Sequence, residues 1–223
     1  KVKGPRTIVF DVAGIIDLKD RLVCSDSFIT VAGQTAPGKG ILLREHPFGF
    51  GSEGIFRFIR LRLGKYLDKN GKTITLDGLG AAGCDNTIID HCSVGWTIDE
   101  AFSSRNGKNL SFQHNLISEA LNQAGHQNYV NAKHGYAATI GGNVGSFHHN
   151  LLANNEGRNW SMGGGLDGAG YYAGKLDLFN NVVYNWGNRA CDGGAHEVNF
   201  VGNYYKMGPA TSMKYILNAQ LEG

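Results

Sequence analysis

Two aspartates, a glutamate and two arginines sit at one offset from a repeated segment, and residues of those types in a row could hold a cation and handle a proton. The segment reads TIIDHCSV from Thr87, LSFQHNLI from Leu110, GSFHHNLL from Gly145, LDLFNNVV from Leu176 and VNFVGNYY from Val198. Cys92, Asn115, Asn150, Asn181 and Asn203 share one equivalent position, at spacings of 23, 35, 31 and 22 residues. Seven or eight residues further on stand Asp99 with Glu100 beside it, then Asn122, Arg158 and Arg189, while one period back from Asp99 lies Asp77. Carboxylates stacked about one strand spacing apart repel unless a cation sits among them, and oxygen-only ligands favour calcium over a transition metal. Arginines at the other end would make a groove for an extended anionic polymer. The same residues also read as corner-capping carboxylates and solvated arginines.

The elements that must position this column follow from the repeat. Within each copy the residues five and three before the shared position are mostly apolar (Leu110 and Phe112, Leu176 and Leu178), with a polar residue between them (Ser111, Asp177). Period two means strand. A unit of some 22 residues is too short for a crossover helix, so equivalent strands should stack as parallel ladders about 4.8 Å apart. Asn at the corner tolerates left-handed backbone angles and, stacked, can form an amide ladder. An all-β parallel β-helix is therefore expected, with Ile89, Phe112, Phe147, Leu178 and Phe200 as one buried column.

With 223 residues, 42% of them hydrophobic and 18% charged, the chain can bury a long core as a single domain over 1–223. Thirty-three glycines against four prolines suit many tight corners. A net charge of +2 advertises no nucleic-acid partner, and no apolar run is long enough to span a bilayer. Strand-like sequence begins almost at once, so the chain reads as a piece of a longer protein whose end caps lie outside it. A monomer is expected unless exposed solenoid ends associate.

Other residues invite chemistry and are better explained structurally. Cys24, Cys84, Cys92 and Cys191 have no zinc-like spacing and read as buried thiols. Arg57, Arg60 and Arg62 read as the solvated face of a strand, and DKNGK from Asp68 as a turn rather than half a calcium loop. His91 and the His148-His149 pair precede the shared position within strands and read as structural. His134, in a glycine-rich stretch, is the better site candidate.

The segments RTIVFDVAGIIDL (6–18), AGQTAPG (32–38), LDGLGAAGCDNTIIDHCSVGWTIDE (76–100), HGYAATIGG (134–142), SFHHNLLANNEGRN (146–159) and NNVVYNWG (180–187) resemble the pectate lyase superfamily of calcium-dependent polysaccharide lyases. The resemblance implies a right-handed parallel β-helix, secreted or periplasmic, that cleaves a pectate-like polyuronate by β-elimination. It implies Ca2+ held by Asp77 and Asp99, with Glu100 a further ligand, and Arg158 as the base that removes the C5 proton. The chain departs from the family in three places. Asn159, Trp160, Ser161 and Met162 follow Arg158 where Pro and a second Arg are usual. Ser103 stands where a second carboxylate is usual, and the substrate-binding Lys aligns only loosely with Lys133. Trp160 is then expected to offer a sugar-stacking surface, Arg189 to replace the missing Arg, and His134 and Asn122 to contact substrate. Two rivals use the same architecture: a glycoside hydrolase with paired carboxylates, and a non-catalytic binder of acidic polysaccharide.

Overall fold

Alternation of apolar and polar residues gives each repeat copy one strand, and the computed structural model forms them at Asp85–Asp90, Lys108–Gln113, Asn143–His148, Lys175–Phe179 and Glu197–Val201. The structure describes residues 2–73, 75–129, 132–163 and 174–220. Equivalent strands pair in parallel and in register, coil on coil, and the described strands fall into three eight-stranded sheets. The architecture is a right-handed parallel β-helix. Each coil passes from a strand of the first sheet round a sharp corner to the second, and then to a short strand of the third.

The corner differs from expectation by one residue. His91, His114, His149, Asn180 and Gly202 take the left-handed conformation, with φ between 53° and 64°, and each immediately precedes the shared position. The Asn that follows is thereby free to turn its amide inward. Asn115, Asn150, Asn181 and Asn203 each accept from the backbone N–H one coil back, at Cys92, Asn115, Asn150 and Asn181, at 2.7 to 3.1 Å. Their Nδ2 atoms donate to the carbonyls of Ile89, Phe112, Phe147 and Leu178. Polar backbone at a buried corner is satisfied without water.

Inside, the register aligns Ile89, Phe112, Phe147, Leu178 and Phe200 in one column. The first four are fully buried and Phe200, at the last coils, is half-buried. Phe102 stacks on Phe112 at 4.2 Å, and Trp160 closes edge-on against Phe112 at 6.0 Å. At the first coil, apolar side chains including Ile8, Phe10, Ile16 and Leu22 line an open cavity of about 470 Å³. Gly142, at φ 98°, lies where a Cβ would collide with the Gly107 backbone, so the IGG segment lets two coils approach closely.

The bland readings mostly hold. All four cysteines are free and buried, and burial pushes the Cys92 and Cys191 thiols up to about 12. Asp68 accepts from the backbone N–H groups of Asn70 and Lys72, which closes DKNGK as a turn. The arginines are less free than expected. Arg57 Nε binds Asp90 at 2.7 Å and Arg62 reaches Ser93 at 2.8 Å, because in-register stacking places a partner one coil away.

Removing one rung of the ladder should be costly. Asn150→Ala leaves the Asn115 N–H and the Phe112 carbonyl buried without partners, for a loss of about 2–5 kcal/mol in urea unfolding. The outward-facing Ser146→Ala should stay within about 0.5 kcal/mol. Equal effects would mean that the ladder does not hold the coils.

Candidate active site

The third sheet has the shortest strands, and the residues that lead into them form one rim. Asp77 precedes Leu79–Gly80, Asp99 and Glu100 precede Phe102–Ser103, and Tyr136 precedes Ala138–Ile140. Arg158 precedes Ser161–Met162 and Arg189 precedes Cys191–Gly193. Because the strands are in register, these side chains are brought together from five coils.

At one end the carboxylates of Asp77, Asp99 and Glu100 bring one oxygen each within 4.8 Å of one another. Burial raises the Asp77 carboxyl above the ordinary range, and burial together with the charge of Asp77 raises Asp99. Two desolvated carboxylates that repel each other present hard oxygen donors, and these fit calcium. Two buried imidazoles lie behind Asp99, and one of them is hydrogen-bonded to it. The Asn128 N–H donates to His126 Nδ1, so the proton lies on His126 Nε2 and points at Asp99 Oδ2, 3.1 Å away. His134 Nδ1 lies 3.3 Å from Asp99 Oδ1 without an aligned hydrogen bond. Burial and the neighbouring His126 bring His134 down to about 4, so it is neutral near pH 7.

At the other end two guanidinium groups share the face of Tyr136, Arg158 at 4.5 Å and Arg189 at 5.4 Å from the ring centre. Arg158 Nη1 pairs with Glu100 Oε1 and lies 3.3 Å from Thr139 Oγ1, while its Nε is buried without a partner. Burial, then the charge of Arg189, holds Arg158 below the usual arginine range. Arg189 behaves oppositely. Burial works against its charge, yet a two-pronged contact with Asp192, at 2.5 and 2.9 Å, keeps it above that range.

Four expected residues sit in surroundings other than those expected. Trp160 is fully buried against Phe112 and Phe147, so it offers no stacking face to a sugar. Asn122 is not the next member of the column, because its coil is lengthened by a loop that ends just before Tyr136. Its amide donates to Glu156 at 2.6 Å and accepts from Gly135 N–H, which ties the base of that loop. His134 is only 5% exposed and lies behind Asp99, 3.3 Å from its carboxylate. Lys133 is exposed, with its ammonium 3.6 Å from Glu156. The offsets missed Tyr136, Thr139, His126 and Asp192. Tyr136 and Thr139 do lie within the quoted HGYAATIGG segment, so a motif signal for them existed.

Over 93% of its length the chain is 34% identical to a protein of Aspergillus flavus named "Probable pectate lyase C". It is 35% identical to the protein of that name from Aspergillus terreus and 36% identical to that from Emericella nidulans. These relatives bear out the resemblance to the pectate lyase superfamily. The chain spans 46% of the Aspergillus proteins and 44% of the Emericella protein, about half their length. No family model matches it.

The carboxylate pair has a consequence for stability. In chelator, Asp77→Asn should raise the melting temperature above neutral pH, because it removes a desolvated charge that also raises the Asp99 carboxyl. In calcium the gain should vanish or reverse, as it would for the loss of a carboxylate that holds the ion. A variant equally destabilised in both conditions would show that the pair is not strained by like charge.

Proposed function

We propose that this chain, similar over nearly all its length to the pectate lyase superfamily, carries out β-elimination on a pectate-like polyuronate outside the cell, as a secreted or periplasmic enzyme. One observation supports the reading above others: a half-buried arginine held below its ordinary range stands on the same rim as two carboxylates raised by desolvation. Asp77 and Asp99 would hold calcium, with Glu100 as a further ligand. Bound there, the ion would draw charge from the uronate carboxylate and acidify the proton on the adjacent C5.

Arg158 accepts that proton, for which it must first be neutral. Burial and Arg189 favour the neutral form, whereas Glu100 opposes it while the two are paired, so release of Glu100 from Arg158 is part of the cycle. Thr139 and the Tyr136 ring keep the guanidine in place during that exchange. As the C5–H bond breaks, its electron pair forms the C4–C5 double bond and the glycosidic oxygen leaves from C4, taking a proton from solvent. Arg189, fixed by Asp192, keeps its charge and serves to bind the polymer's carboxylates. No helix among the described residues is long and apolar enough to cross a membrane.

The intact protein should release an unsaturated, ultraviolet-absorbing product from polygalacturonate, and chelator should abolish it. Reducing ends without that chromophore would indicate hydrolysis, and binding without product a non-catalytic module. Arg158→Lys should lower turnover by about 10² to 10⁴, the usual worth of a positioned base. Arg189→Ala should chiefly raise KM. Full turnover in Arg158→Lys would remove the arginine from its role.

A further inference from the structure

On the outer face of the first sheet, away from the rim, a carboxylate is buried where a strand residue should face water. Asp90 alternates with exposed Ile88, yet its side chain is only 4% exposed because residues from adjacent coils roof it. Arg57 Nε occupies Oδ2 at 2.7 Å. Three nitrogens converge on Oδ1: His91 Nδ1 at 2.7 Å, Gln113 Nε2 at 3.2 Å and His114 Nδ1 at 3.4 Å. One oxygen and two imidazole nitrogens, all within 4.8 Å, thus face a common point.

The imidazoles are held there by the fold. His91 and His114 occupy successive left-handed corners, and their rings stack 4.9 Å apart between Phe58 and His149. Each ring is somewhat over 40% exposed, so the cluster is open to solvent. One coil further on, His148 and His149 bring their Nδ1 atoms to 2.8 Å. Two nitrogens on one tetrahedral zinc-sized ion stand roughly 3.3 Å apart, given metal–nitrogen bonds of about 2.0–2.1 Å. Contacts of 2.7 to 3.4 Å around Asp90 Oδ1 and 2.8 Å between His148 and His149 bracket that separation.

We propose that Asp90, His91 and His114 form a surface site for a divalent transition metal ion of the zinc class, with the His148-His149 pair as a further nitrogen source beside it. Imidazole with one carboxylate suits zinc, copper or nickel, whereas calcium takes oxygen. On binding, each ligating imidazole carries its proton on Nε2, which faces outward, and Arg57 stays on Oδ2. The ion would clip together two neighbouring coils at the corner where each leaves the first sheet.

The test is a calorimetric titration of the intact, calcium-loaded protein with zinc chloride at fixed pH, compared with His91→Gln/His114→Gln. The double variant should lose affinity by about tenfold or more. Imidazole NMR should show the Nδ1 resonances of His91 and His114 moving with zinc, while those of His126 and His134 stay put. Product formation should be the same in parent and variant at saturating calcium, since the cluster lies off the rim. No zinc binding in the parent would make the histidines hydrogen-bond donors only and overturn the proposal. Undiminished binding in the variant, or shifts at His126 and His134, would place the ion beside Asp99 and also overturn it.

Discussion

Everything in this molecule depends on parallel coils being held in strict register at a buried corner. An unpaired backbone group there would cost as much as a lost hydrogen bond. The Asn115, Asn150, Asn181 and Asn203 amides remove that cost by bonding twice to the coil behind, accepting from its corner N–H and donating to a carbonyl of its strand. A slip of one residue would break every rung and turn Phe112 and Phe147 outward. Register is therefore specified twice, by hydrogen bonds at the corner and by the apolar column beside it.

From that register the electrostatics of the rim follow. Asp77 and Glu100, or Arg158 and Arg189, are many residues apart in sequence but are set on adjacent coils, where backbone bonds such as Gly78 N–H to Glu100 O and Asn159 N–H to Ala190 O fix their separation. Like charges are thereby forced together at both ends, which the chain alone would avoid. Each end has its own relief. Asp192 steadies Arg189, Glu100 pairs with Arg158 and His126 donates to Asp99, whereas burial still raises the Asp77 carboxyl.

The sequence made the solenoid legible because its signals are local and repeated: alternation within a strand, then an Asn at a fixed place. The interior column and the carboxylate and arginine members of the rim could be counted from that Asn. Counting failed where a coil carries extra residues. Asn122 has the right offset, yet the insertion follows it and puts Tyr136 on the rim instead, and nothing in the spacing says on which side of an inserted loop the coil resumes. Trp160 misled for a different reason. Standing where related chains carry a second Arg, it invites an exposed reading, but Arg158 takes a left-handed conformation and the indole beyond it is fully buried. Partnerships such as Glu100 with Arg158 depend on side-chain reach across coils, for which sequence distance is no guide.

The rim draws one functional side chain, or two, from each coil, and coils stack at the strand separation of about 4.8 Å. Distances along the groove are consequently quantised. Lengthening a loop, as between Asn122 and Tyr136, changes what overhangs the groove but leaves these intervals untouched, whereas adding or deleting a whole coil changes them by a full step. Variation within such a scaffold can thus alter the side walls gradually while its ruler changes only in jumps, and a polymer whose repeat suits the ruler remains matched to it through extensive change elsewhere.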